Sequence, residues 1–122
     1  MEQVNEAVKL EGKPVEPDVV DFALKNMLSE KVSNDMVEFF KLFSDFTRVK
    51  ILYVLSMAEM WVSDIALVLN MHQSTISHQL KTLRASKLVK HRRQGKIIFY
   101  SLDDNHIGQV LLQGLLHVGA VE

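Results

Sequence analysis

The chain has no cysteine. This removes disulfides, thiolate metal sites and thiol redox sensing together, and leaves His, Asp and Glu as the strong metal ligands. Nor is there a run of about 18 apolar residues, the length a membrane-spanning helix needs. The opening residues, MEQVNEAVKLEGKP, lack the basic stretch followed by an apolar one that marks a secretory signal. The expected location is the cytoplasm, with no membrane partner. Proline is scarce: both prolines, Pro14 and Pro17, fall with Gly12 in a polar opening stretch, so residues 1–17 are expected to form a mobile N-terminal arm. The last absence is local. Between His72 and Tyr100 there is no acidic residue, while Lys81, Arg84, Lys87, Lys90, Arg92, Arg93 and Lys96 all lie there.

That window carries half of the 14 Lys and Arg, and the remainder of the chain carries all 15 Asp and Glu. A net charge of −1 therefore conceals a strongly basic segment set against an acidic remainder, the charge distribution of a nucleic-acid footprint. A length of 122 residues with 48% hydrophobic content suits one modest domain, residues 18–122.

From Asp18, a suitable N-cap, Val19, Val20, Ala23, Leu24, Met27 and Leu28 recur at helical spacing. A second helix is expected after Ser33 or Asn34, through Met36, Val37, Phe39, Phe40 and Phe43. Ser44-Asp45 then restarts a helix through Val49, Ile51, Leu52 and Leu55, and these helices are expected to build the core. Trp61 to Asp64 reads as a short extended stretch before a helix to Leu69, and the link Asn70 to Gln73 precedes a helix from Ser74 to Ala85. Two short helices so joined, over about 64–85, make a helix-turn-helix. Beyond Leu88, VKHRR and KIIFYSL are β-prone and flank Gln94-Gly95, where glycine takes the positive φ of a tight turn; a two-stranded wing is expected over about 89–102. Asp103-Asp104-Asn105 opens a last helix over about 104–119, with Ile107, Val110, Leu111, Leu115 and Val118 forming an apolar stripe suited to another subunit. The fold class is mainly α with a two-stranded β wing, dimerising through its N- and C-terminal helices.

In a helix-turn-helix the second helix enters the major groove and its first turns face base edges. Here those turns offer Gln73, Ser74, Thr75, Ser77, His78, Gln79 and Lys81, with Arg84 one turn on, while Ile76, Leu80 and Leu83 take the buried face. Glutamine suits adenine, hydroxyls suit bases or phosphates, and the cations suit phosphate or guanine. A basic run is by itself often only a solvated face. A polar helix followed directly by a hairpin with Arg92, Arg93 and Lys96 near its tip is what a groove-and-backbone reader requires.

The stretches FKLFSDFTRVKILYVL and WVSDIALVLNMHQSTISHQLKTLRASKLVKHRRQGKIIFYSL resemble the ArsR/SmtB family of winged-helix repressors over roughly residues 36–118, most specifically in STISHQLKTLR and RRQGKIIFYSL. The resemblance implies a homodimer bound to palindromic double-stranded operator DNA and released by an effector, usually a metal ion. One departure is informative. Many members carry Cys-x-Cys-Asp entering the first helix of the reading motif, and this chain has Trp61-Val62-Ser63-Asp64, so thiolate sensing at that position is excluded.

The last helix carries Asp104-x-His106, with His117 eleven positions after His106. The two histidines share a helix face but stand about 16 Å apart along the axis, so one helix cannot chelate one ion with both. Two such helices packed antiparallel at about 8–10 Å would bring Asp104 and His106 opposite His117 of the partner subunit, giving two equivalent sites. The pattern is also similar to the family's C-terminal-helix zinc site, whose remaining ligand follows the second histidine by three residues; here that residue is Ala120. Glu122 or the terminal carboxylate, a water, or nothing fills the place. Imidazole and carboxylate donors suit Zn(II), with Co(II) or Ni(II) as substitutes. The bland alternatives are an N-cap for Asp104, a solvated His106 and an interface His117. The resemblance further implies that the His117 ring nitrogen facing away from the metal relays binding to the reading domain.

Three readings follow: a metal-released repressor, a DNA-binding regulator with another effector or none, and a winged-helix protein-interaction module. No organic cofactor is expected. An enzyme is not expected either, since no general base is identifiable beside the three candidate ligands.

Overall fold

The computed structural model describes residues 12–121. Residues 1–11 of the expected arm and Glu122 lie outside the described residues. The chain divides into two compact units, Met1–Lys41 and Leu42–Glu122.

The first unit holds α1 (Pro17–Lys25) and α2 (Glu30–Lys41). Pro17 occupies the first turn of α1, where its missing N–H has no helical partner to lose and its fixed φ suits the helix. Asp18 therefore lies inside the first turn rather than at the cap, beside the positive end of the helix dipole. α2 begins earlier than the expected Ser33 or Asn34, because the Ser29 hydroxyl accepts from the Val32 amide at 3.1 Å and so caps the preceding turn. Neither helix buries a residue in the single chain: Val19, Phe22, Met36, Val37 and Phe40 are all exposed, and α1 ends at Lys25, short of the expected Met27 and Leu28. The expected contribution of α2 to the core is thus not made within one copy.

The second unit builds the core. The Asp45 carboxylate accepts from the Arg48 amide at 3.0 Å and starts α3 (Phe46–Met57) where the Ser44-Asp45 signal placed it. α3 buries Ile51, Leu52, Val54 and Leu55. A two-residue strand, β1 (Met60–Trp61), precedes α4 (Val62–Leu69), which ends at Asn70 in the left-handed conformation that asparagine tolerates, φ 55°. α5 (Gln73–Ala85) packs on α4, and the hairpin β2 (Val89–Gln94) and β3 (Ile97–Leu102) follows before α6 (Asn105–His117). Ile51, Leu52, Ile65, Ile76, Leu80, Leu83 and Val89 are fully buried, each worth about 1.5–3 kcal/mol of transfer free energy.

The sheet order is β1-β3-β2, all antiparallel. The expected hairpin is present, with Gly95 at φ +63° in its turn, and β1 adds a third short strand through Met60↔Tyr100 and Trp61↔Phe99. Of the expected extended stretch Trp61 to Asp64 only Trp61 is in the strand, since Val62, Ser63 and Asp64 already belong to α4, and two residues are too few to show a period of two. The architecture is a winged helix-turn-helix. Among the described residues no helix is long and apolar enough to cross a membrane.

Candidate nucleic-acid interface

α5 separates its faces as its periodicity requires. Ile76, Leu80 and Leu83 are fully buried, which locks the helix onto the core, and Gln73, Ser74, Thr75, Ser77, His78, Lys81 and Arg84 are exposed on the outer side. Gln79 differs from its expected neighbours in being half-buried. The turn before α5 is held by backbone hydrogen bonds: the Met71 amide donates to the Ala66 carbonyl at 3.0 Å, and the Thr75 and Ile76 amides both donate to the His72 carbonyl.

At the other end of α5, Lys87 adopts φ 65° while its amide donates to Arg84 O at 3.0 Å and the Leu88 amide to Leu83 O at 2.9 Å. This tight reversal sends the chain straight into β2, so reading helix and wing are joined by three residues, Ser86 to Leu88. Arg84 reinforces the junction. Its Nη1 lies 3.0 Å from His91 Nδ1 on β2, and because arginine only donates, the imidazole accepts. His91 is exposed on the wing, its ring 5.8 Å from that of Tyr100.

The wing's neighbouring arginines are separated by the pleat. Directly opposed residues of an antiparallel pair share a face and successive residues alternate. Arg92 opposes Phe99, which also opposes Trp61, so those three share one face; Arg93 opposes Ile98 and shares the other face with His91 and Val89. Arg93 thus stands on the side that touches Arg84 of the reading helix. Arg92 is engaged on the opposite side. Its Nε and Nη2 donate to the two carboxylate oxygens of Glu59 at 2.8 and 2.7 Å, its Nη1 donates to Gln94 Oε1 at 2.9 Å, and its guanidinium lies 4.8 Å from the Phe99 ring centre. The Arg92 side chain holds the Glu59 carboxyl below its usual range, chiefly through these hydrogen bonds.

Lys81, Lys87, Lys90, Arg93 and Lys96 form no ion pair among the described residues and are exposed, so positive charge from both the reading helix and the wing is available to an anionic backbone. Glu59 was not legible in the sequence as part of the wing. It lies 33 residues from Arg92, and a lone glutamate after a helix carries no local signal.

The candidate metal ligands are only partly assembled. Asp104 is the N-cap of α6, accepting from the His106 amide at 2.8 Å, and its Oδ1 is 3.3 Å from His106 Nδ1. Desolvation pushes the Asp104 carboxyl up, but hydrogen bonds from the His106 amide and ring outweigh it and hold the group below its ordinary value. His117 is the last residue of the same helix and is exposed. One chain therefore brings Asp104 and His106 together and leaves His117 apart. Among the described residues no three His, Asp or Glu side chains converge as a metal site. Ala120 offers no donor, and Glu122 lies outside the described residues.

The chain is similar to known proteins in sequence and in fold. Residues 45–91 match the bacterial regulatory protein family named for arsR. A cadmium resistance transcriptional regulatory protein CadC homolog from Staphylococcus aureus is 39% identical over 104 residues, covering 84% of this chain and 85% of the relative. A transcriptional repressor SmtB homolog from Synechocystis is 38% identical over 81 residues, covering 66% of this chain and 61% of the relative. Among solved structures, the homodimeric winged helix-turn-helix DNA-binding domain from Mycobacterium bovis superimposes with a TM-score of 0.63 at 25% identity, covering 77% of this chain and 88% of that one.

Proposed function

Since this chain belongs to the arsR family of bacterial regulatory proteins, whose matched relatives are transcriptional regulators rather than enzymes, we propose that it is a homodimeric repressor released from its operator by Zn(II) bound between the C-terminal helices of two copies. The observation that carries the metal reading is the pair of donors at the start of α6, Asp104 Oδ1 and His106 Nδ1 at 3.3 Å, on a helix that ends in His117. One chain supplies two adjacent donors and a distant third, and an antiparallel partner helix is the arrangement that unites them. Of the expected apolar stripe, Ile107 is buried in the chain's own core and Val110, Leu111 and Leu115 are half-buried, so the exposed apolar surface that supports such a pairing is Leu112, Leu116 and Val118.

The Staphylococcus relative is named for cadmium resistance. A soft-metal thiolate site has no counterpart in a chain without cysteine, and an imidazole–carboxylate set suits Zn(II), with Co(II) or Ni(II) as substitutes. The ligands would be Asp104 and His106 of one chain and His117 of the other, with Glu122 the candidate for the fourth place. Zinc favours a dimer shape that holds the reading helices at the wrong separation, and driving an operator from nearly full to nearly empty requires differential binding of about 5 kcal/mol. Gln73, Ser74, Thr75, Ser77, His78, Gln79, Lys81 and Arg84 form the groove-facing set, with Arg93 and Lys96 at the wing. A regulator with a non-metal effector is the second reading; it is favoured by Ala120, which leaves the expected fourth position without a donor.

The test is a zinc titration of the protein on an operator duplex, followed by fluorescence anisotropy. Release is expected at one ion per protomer and is expected to be abolished in His106→Gln, while His117→Gln should lose release more completely than it loses zinc affinity. Retained DNA binding at saturating zinc would refute the zinc switch and leave DNA binding standing.

A further inference from the structure

The two arginines of the wing look interchangeable in sequence and are not so in structure. Arg93 faces the side of the hairpin that meets the reading helix through His91 and Arg84; Arg92 faces away from it. A side chain that grips phosphate beside the recognition helix has to lie on the recognition-helix side. Arg92 instead commits Nε, Nη1 and Nη2 to Glu59 and Gln94 while its flat face covers Phe99.

We propose that Arg92 is a positioning residue: clasped by Glu59, it sets the angle of the wing so that Arg93 and Lys96 meet the DNA backbone, and it makes no DNA contact itself. Glu59 follows the last turn of α3, whose Ile51, Leu52 and Leu55 are core residues, so the clasp ties a solvent-exposed hairpin to the end of a helix anchored in the core. The fork-to-fork geometry specifies direction as well as distance, because two parallel N–H···O bonds resist rotation where a single contact does not. Lysine, a point charge on a flexible stem, keeps the charge and loses both the fork and the flat packing on Phe99. The pair is partly solvent-exposed, 51% for Arg92 and 35% for Glu59, so it contributes little to global stability and removing it leaves the fold intact.

This inference rests on the DNA-binding reading, and the test keeps the two apart. The probe is a duplex that the wild-type protein selects from a random-sequence pool, with binding followed by anisotropy as salt is raised. Arg92→Lys and Glu59→Gln are each expected to weaken binding by about threefold to tenfold, with the slope of log K against log salt unchanged. The double variant should be no weaker than either single one, and melting temperatures should stay within about 4 °C of wild type. Arg93→Gln, by comparison, should make the slope shallower by about 0.9 for each phosphate that is no longer neutralised. Wild-type affinity in Arg92→Lys combined with a shallower slope in Arg92→Gln would overturn the proposal, since a phosphate ligand needs only the charge. Tighter binding by Glu59→Gln would also overturn it, by showing that the carboxylate competes with DNA for Arg92. Absence of salt-dependent binding by the wild-type protein to any duplex would instead overturn DNA binding itself.

Discussion

Replacing Lys81 by Gln removes one cation from the exposed face of α5, immediately after the fully buried Leu80. Lys81 forms no ion pair among the described residues, so the substitution breaks no internal salt bridge and the fold is unaffected. Each phosphate neutralised by a protein cation releases condensed counterions, and log K then falls with log salt by about 0.9 per phosphate. In the proposed dimer the change occurs twice, which makes the slope shallower by about 1.8 and means that wild type should lose about twelvefold more affinity than the variant between 50 and 200 mM salt. Anisotropy on the pool-selected duplex at four or so salt concentrations reads this directly. Lys25→Gln is the control: that lysine pairs with Asp21 on α1 at 3.2 Å and lies outside the basic window, so its slope should match wild type. Equal slopes for Lys81→Gln and wild type would refute the placement of α5 against the phosphate backbone.

Three further outcomes follow from the packing and the electrostatics. Leu83→Ala empties a fully buried position that anchors α5 to the core and should cost about 2–5 kcal/mol in urea denaturation; a loss below 1 kcal/mol or so would mean that the helix is not held as described. Lys87→Gly should raise stability by about 0.5–1 kcal/mol, because glycine relieves the strain of φ 65° while giving back part of the gain in unfolded-chain entropy; a lower melting temperature in this variant would show that the lysine side chain holds the reversal. Glu59 has a folded carboxyl pKa depressed from 4.5, so its contribution is fully present above that value and is lost as pH falls through the lower folded value. The melting difference between wild type and Glu59→Gln should accordingly be flat from pH 6 to 8 or so and shrink only in acid; a difference that changes near neutral pH would point to another titrating group.

Much of the architecture was legible because it is encoded locally. Asp45 and Asp104 are caps whose side chains reach backbone amides two or three residues away, and both were visible as helix starts. Gly95 marks a turn that demands positive φ, and the i, i+4, i+7 spacing of Ile76, Leu80 and Leu83 separates buried from exposed faces of α5 without reference to any other element. Ser29 was less visible, since the helix it starts opens with polar residues and the apolar rhythm appears only later. β1 was legible only as an extended stretch beginning at Trp61, without a strand's rhythm: its two residues become a strand because β3 is there to pair with them.

The candidate site divides the same way. Its basic character, the outward set on α5 and the Asp-x-His pair at the start of α6 follow from composition and from periods of a few residues, so the chain by itself determined them. The separation of His117 from His106 along one helix and the opposite faces of adjacent Arg92 and Arg93 follow from helix rise and strand alternation as well; tertiary structure alone decided which face of the wing meets the reading helix and that a glutamate 33 residues away occupies the other. The physical reason is range. Helical and strand periodicities act over one or two turns and are written in neighbouring residues, whereas the pairing of a guanidinium with a carboxylate across the fold depends on where two distant backbones come to rest.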